Sequence, residues 1–407
     1  MDYRDIITKA LASHDVHLRE INKKVFDNPE LGFEEHMARD NYVSLLRSLG
    51  FEATPSAYGV PTAFVTEYGS GGRVVAFNAE YDALPDIGHA CGHNLVGTAS
   101  LASFLGVVAA LKESGIPGRV RLIGTPAEEN LGGKAHLVRG GAFKDVDACL
   151  MTHPGPRGVF NKAPYTGNAY STSLSMDKFI VSYTGKPAHA AMAPYQGVNA
   201  LDAANLAYNA ISMLRQQIKE HERIHFIIKH GGDAPNIIPI ATKVDAQVRS
   251  GARSEIRALK ARVLKCFEGA AVATGCTMKV EDICAYSDLR PNKPICSLYA
   301  DEMAALGTPV ECDLERTIPG PGSTDQGNVC YECPAFHSGF DILTPPGAYN
   351  HTRGFTASAG SDEAYDRCIE SAKGMAGAAW RILADDHVAS EVKNAFLDDE
   401  EINPRDQ

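Results

Sequence analysis

The stretch 79–97, AEYDALPDIGHACGHNLVG, constrains the chain most. It packs two acids (Asp82, Asp86), two histidines (His89, His93) and a cysteine (Cys91) into a short span. The apolar run 74–77 before it reads as a buried strand, and the small-residue apolar run 95–111 after it reads as a buried helix. Carboxylate, imidazole and thiol therefore sit where a strand ends and a helix begins, the place where open α/β sheets keep their sites. Carboxylate, neutral imidazole and thiolate are also the donors that divalent metals take.

Two further strands point the same way. RVRLIG at 119–124 leads into TPAEEN, and ACLM at 148–151 leads into THPG. Three strand ends thus deliver Cys91 with His93, Glu128 with Glu129, and His153. Alternating strands and helices imply a largely parallel sheet, whose C-terminal edges converge. Adjacent Glu128 and Glu129 cannot both grip one ion in the same way. One can bind while its neighbour serves as a general base, which suits metal-assisted hydrolysis. The competing reading of the pair is a charged helix N-terminus, favoured by the dipole.

From residue 172 the texture changes. A strand at 178–183, a helix at 199–220, strands at 224–229 and 243–249, a helix at 253–273 and a strand at 277–283 give the β-α-β-β-α-β order of a ferredoxin-like module. The α/β pattern resumes after Leu289, so the module reads as an insertion. The expected domains are 1–171 and 288–407 for a catalytic α/β domain, with 172–287 as a lid. Residues 5–49 are helical in period, broken at Asn28-Pro29-Glu30, and Glu30, Glu34 and Glu35 read as surface charge. A final helix is expected over 361–384.

The formal charge of −11 argues against nucleic acid or an anionic membrane as partner. No run reads as the roughly 18 apolar residues of a membrane span. The N-terminal residues lack a signal-peptide core, and the closing PRDQ matches no targeting address. Ten cysteines without a disulfide spacing suggest reduced thiols and a cytoplasmic location. Two motifs compete with the strand-end cluster. His221-Glu-Arg-Ile-His225 fits H-E-x-x-H, but its polar surroundings suit a solvated helix end better than a zinc-binding helix. Cys330 and Cys333 form an unpaired C-x-x-C in an expected strand and read as structural.

The chain resembles the M20 family of metallopeptidases and amidohydrolases, in its D branch of aminobenzoyl-glutamate hydrolases, auxin-conjugate hydrolases and related dipeptidases. The phrases that carry this are NPELGFEE at 28–35, AEYDALP at 79–85, GHACGHN at 88–94, TPAEEN at 125–130 and THP at 152–154. GKPAHAAMAPYQGVNALDA at 185–203, APNIIP at 234–239, GSTDQGN at 322–328 and NHTRGFTASAGSDEA at 350–364 follow in family order. The resemblance implies an α/β catalytic domain interrupted by a ferredoxin-like lid that also forms a homodimer. It implies two divalent metal ions, zinc or manganese, held by Cys91, His93, Glu129, His153 and His351. Glu128 would be general base and then acid, and Asp82 would orient a ligand imidazole. His189 would stabilise the oxyanion from the partner subunit, while Asn236 and Arg249 would grip a substrate carboxylate. His89 lies inside the motif and is not assigned. The reaction implied is hydrolysis of the amide of an N-acyl amino acid, an aminobenzoyl-glutamate-like conjugate or a dipeptide. The alternatives are an enzyme of specialised metabolism that hydrolyses or forms a dedicated N-acyl amino acid, and a non-catalytic binding protein of the same fold. The complete donor set weighs against the second.

Overall fold

The computed structural model describes residues 2–159, 163–316, 318–320 and 322–402. The closing PRDQ lies outside them. In chain order its strands are β1 (Ala53–Pro55), β2 (Phe64–Ser70), β3 (Val74–Ala79), β4 (Gly118–Gly124), β5 (Ala148–Pro156), β6 (Gly167–Asn168), β7 (Ser175–Thr184), β8 (Arg223–His230), β9 (Ala241–Ser250), β10 (Thr277–Tyr286) and β11 (Ala335–Ile342). The chain divides into two compact units. The larger comprises Met1–Thr172, Leu289–Pro319 and Asp325–Gln407, and the smaller Ser173–Asp288 with Gly320–Thr324. The short segment 320–324, expected to belong with the tail, joins the smaller unit because Ser173 bridges to Gly320 and Leu174 N donates to Gly322 O.

In the larger unit seven strands run in the order β1-β2-β4-β3-β5-β11-β6. The four central strands are parallel, whereas the β1–β2, β2–β4 and β6–β11 pairings are antiparallel. The expected parallel sheet is therefore its centre, and the edges are mixed. Short neighbours such as β6 need no crossover helix, so antiparallel pairing is open to them.

The helix His93–Ser114 lies against β3, β4 and β5 on one side and against the helices Tyr3–Ser13 and Asp362–Ala384 on the other. It is buried almost all round, which explains its small apolar residues. Contrary to the sequence reading, it is long and apolar enough to cross a membrane, yet 94% of that window is inside the fold. The break after Ser13, the helix Lys293–Ala305 and the last helix, Asp386–Ile402, have no counterpart among the expected elements.

In the smaller unit the sheet order β10-β7-β9-β8 is wholly antiparallel. With helices Ala200–Leu214 and Arg253–Thr274 this is the ferredoxin-like arrangement. Its core joins Phe179, Val181, Tyr183, Val244 and Val248 to Ala203, Ala207, Leu259, Val263 and Phe267. The first helix stops at Leu214, short of the expected 220, and His221 stands in a turn before β8.

Gly97 sits where the buried helix passes closest to its neighbours. A Cβ there would come 2.3 Å from Tyr42 Oη and 2.8 Å from Glu80 O. Gly97→Ala should therefore cost about 1–3 kcal/mol through overpacking, seen as a lower denaturation midpoint with the slope unchanged.

Candidate active site

The C-terminal ends of the four parallel strands place the donors. β3 runs out into Glu80 and Asp82, and the loop 80–92 returns to the helix through Gly92, at φ +80, so that His93 opens it. β4 runs out into Glu128 and Glu129. His153 stands within β5 rather than beyond it, and the loop after β11 carries His351. In the sequence this fourth strand shows only as an apolar run near Pro334-Ala335-Phe336, ahead of Tyr349-Asn350-His351-Thr352.

Hydrogen bonds set the state of each imidazole. His93 Nδ1 lies 2.9 Å from Asp82 Oδ1 and 3.0 Å from Asp82 O. Donation from Nδ1–H leaves Nε2 with its lone pair free, 3.4 Å from Glu80 Oε2. His153 Nδ1 likewise donates to Pro154 O at 2.9 Å, and its Nε2 is 3.4 Å from Cys91 Sγ. Asp82 Oδ2 accepts from Glu129 N at 2.8 Å. His351 Nε2 is 3.2 Å from Glu129 Oε1.

The donor atoms form overlapping groups. Cys91, His93 and His153 make one, Cys91, Glu129 and His351 a second, and His93, Glu128 and Glu129 a third, with the atoms of each group within 4.8 Å of one another. Cys91 is common to the first two. Among the described residues, buried His93 Nε2 and Glu129 Oε1 have no well-formed hydrogen bond; His93 Nε2 has only Glu80 Oε2 at 3.4 Å and Glu129 Oε1 only His351 Nε2 at 3.2 Å. Buried polar atoms are rarely left so unless another partner completes them. Orphaned atoms of these types, beside a thiol and a second imidazole, fit divalent cations. Cys91, His93, Glu129, His153 and His351 could hold divalent cations here.

Electrostatics agree. Burial, reinforced by His93, lowers His153 to about 4, which keeps its imidazole neutral and able to coordinate. Burial opposes charge on His93, but Asp82 and Glu80 outweigh it and raise that group, so a cation bound at Nε2 would have to displace a proton. Burial, then Glu80, Glu129 and Asp325, push Glu128 well above the usual carboxylate range. Burial and Glu129 hold the Cys91 thiol protonated, and a coordinated cation would reverse this.

Three residues of the site are not singled out by sequence reasoning. Lys134 is fully buried, and its Nζ is bonded to both Glu80 and Asp325. Its backbone N also donates to Asp325 Oδ2 at 2.8 Å. Burial opposes the ammonium, but Asp325, Glu80 and Glu128 hold it charged. Lys134 in turn brings Glu80 down to about 2 against the effect of burial. The only available signals are a lysine in the run GGKAHLV and acids inside the phrases AEYDALP and GSTDQGN.

The remaining candidates lie in the smaller unit. His189 is exposed, and its Nδ1 accepts from Ala191 N (3.3 Å) and Met192 N (3.1 Å), which leaves Nε2–H as an outward donor. Asn236 is exposed, and its carbonyl accepts from Ala190 N. Arg249 Nη1 donates to Ser323 Oγ at 2.7 Å. The two competing motifs dissolve. His221 pairs with Glu255 at 2.9 Å from a turn, while His225 is on β8, so the two do not share a helix face. Cys330 ends the helix Gln326–Cys330 and Cys333 follows it, both buried, so the expected strand is absent there.

Fold and site together define a metal-dependent hydrolase of amide or peptide bonds. The pattern of Peptidase family M20/M25/M40 matches residues 76–376, and the chain belongs to that family. Mouse Xaa-Arg dipeptidase is 38% identical over 395 residues, covering 92% of this chain and 88% of its own. One of the p-aminobenzoyl-glutamate hydrolase chains of Escherichia coli (strain K12) is 33% identical over 322 residues, 74% of this chain and 65% of its own. Among solved structures, the aminobenzoyl-glutamate utilization protein of Klebsiella pneumoniae superposes with a TM-score of 0.71 at 18% identity, covering 93% and 99% of the two chains. A dinuclear metal-binding peptidase of the M20 family from Bacillus subtilis gives 0.65 at 20% identity, with 91% and 99% coverage. At those identities the structures attest the fold.

Removing the Lys134 ammonium would leave two buried carboxylates facing each other. Lys134→Met should cost about 3–5 kcal/mol, read as a lower denaturation midpoint of the metal-free protein.

Proposed function

We propose that this chain hydrolyses dipeptides or closely related N-acyl amino acids, with Glu128 as general base and Cys91, His93, Glu129, His153 and His351 as ligands of two zinc or manganese ions. The observation that carries the reading is the place of Glu128. Its carboxylate shares a 4.8 Å group with His93 and Glu129, and its environment favours holding a proton. Bound divalent cations would polarise the scissile carbonyl and lower the pKa of water. Glu128 takes the proton of the attacking water and hands it to the leaving nitrogen. A carboxylate raised above its ordinary range holds such a proton more firmly between the two transfers. Asp82 keeps His93 in the tautomer that presents Nε2. His189, with Nδ1 occupied by backbone donors, offers Nε2–H to the developing oxyanion. Asn236 and Arg249 suit the terminal carboxylate of the substrate, Arg249 as a fork. The names of the relatives put Xaa-Arg dipeptides and aminobenzoyl-glutamate first among substrates to try.

A homodimer through the smaller unit has support in its surface. β8 is an edge strand with Ile227 and Ile228 exposed, and the helix Ala200–Leu214 exposes Tyr208 and Met213. Exposed apolar edge strands are ready pairing surfaces. Ten free cysteines support a cytoplasmic location.

Metal content should be measured together with turnover of Xaa-Arg dipeptides, aminobenzoyl-glutamate, N-acetyl amino acids and indole-acetyl conjugates. About two ions per chain and hydrolysis of at least one of these amides are expected. Failure to bind zinc or manganese at all would sink the ligand assignment. Glu128→Ala should keep its metal and lose turnover by at least roughly 10²-fold, and normal turnover would remove it from the mechanism. If His189 acts on the partner's site, a verified heterodimer of Glu128→Ala and His189→Ala subunits should recover activity that neither homodimer has. An inactive heterodimer would refute action in trans.

A further inference from the structure

The turn that carries NPELGFEE is built into the catalytic edge instead of lying on the surface as charge. Ala83 N donates to Glu30 O at 2.8 Å, and Leu31 bridges to Ala83. The Glu30 carboxylate accepts from Met37 N at 3.0 Å and Ala38 N at 2.9 Å, which caps the helix His36–Ser48. A Cβ at Gly32 would come within 3.1 Å of Ala127 Cα, so the turn lies directly on the residue before Glu128. Glu35 is fully buried, and its Oε1 accepts from Ala127 N at 2.7 Å.

Ala127 is itself unusual. It stands at φ +58 and ψ +43, and Asn130 at φ +64, so the pair Glu128–Glu129 is carried between two left-handed residues. That conformation is unfavourable for a residue with a Cβ and persists only where the surroundings over-determine it. Two buried carboxylates do so here. Glu35 holds the N–H of Ala127, and Asp82 holds the N–H of Glu129.

We infer that Glu35 is a positioning residue for the hydrolysis: by holding Ala127 N–H it keeps the turn in the one conformation that aims Glu128 at the metal-binding donors. The inference rests on Glu128 being the general base. Burial and the nearby Asp82 charge push the Glu35 carboxyl up to about 8, and the Thr62 hydroxyl and Ala127 N–H beside it do not reverse this. What Ala127 N–H requires is an acceptor oxygen at that reach, which a neutral carboxyl also supplies. Glutamine offers the same acceptor at the same reach. Aspartate keeps the acid but is one methylene short.

The test compares Glu35→Gln, Glu35→Asp and Glu35→Met in the full metal-loaded chain, on the dipeptide or aminobenzoyl-glutamate that the parent cleaves fastest. Glu35→Gln should keep kcat within about threefold, whereas Glu35→Asp and Glu35→Met should each lose roughly 10–100-fold in kcat. KM should stay within about twofold and metal content at the parent value. Equal losses in Glu35→Gln and Glu35→Asp, full activity in Glu35→Asp, or a loss confined to KM or metal content would each overturn the inference. If Glu35→Met does not fold, the contrast between Gln and Asp decides alone. Glu128→Ala measured alongside separates the two readings. Retained turnover there removes the base, whereas lost turnover there with Glu35 variants unaffected removes only the positioning role.

Discussion

The site hangs on one carboxylate. Asp82 Oδ1 takes His93 Nδ1 at 2.9 Å, and Oδ2 takes Glu129 N at 2.8 Å, with the acid almost wholly buried. It thereby ties the exit of β3 to the start of the long helix and to the exit of β4. The neighbouring Ala83 N adds the N-terminal turn through Glu30 O. The two strand exits and the N-terminal turn are irregular backbone, tied to one another and to the helix by these bonds. Shared partners couple them, so disturbing one moves the others, and their energies do not add.

The second constraint is charge. Glu80, Asp82 and Asp325 are buried together, with Glu128 and Glu129 beside them. Burying carboxylates is costly unless opposite charge is close. Lys134 compensates at one end, between Glu80 and Asp325. At the other end His93 Nε2 and Glu129 Oε1, without well-formed hydrogen bonds among the described residues, belong to the donor groups suited to divalent cations. The acidic pocket is thus half neutralised by the fold and half left for a cation.

What was legible in the sequence had a local cause. Asp82, Cys91 and His93 stood in one run, and Glu128 and Glu129 followed an obvious strand. The two helices and four strands of the smaller unit showed their own periods. What was illegible depended on distance along the chain. Glu80 and Asp325 meet Lys134 across 54 and 191 positions, and Glu35 meets Ala127 across 92. A buried lysine has no local signature, and Glu35 looked like one more surface acid beside Glu34. His221-Glu-x-x-His225 shows the converse error, because a motif has meaning only on the element it requires, and here a turn interrupts it.

The sequence by itself determined the strands and buried helix that flank the site, the inserted βαββαβ order and the donor residues that strand ends carry. Those follow from periodicity and from side-chain chemistry, which act over a few residues. Only the tertiary structure decided that the parallel centre of the sheet has antiparallel edges, that residues 320–324 join the smaller unit, and which acids are surface and which are structural. It also decided which ring nitrogen of His93 and His153 is occupied by a backbone or carboxylate oxygen. These depend on which distant groups become neighbours when the apolar strands and the buried helix are packed. Burial then converts a proximity of a few ångströms into a large electrostatic term, which no local pattern encodes.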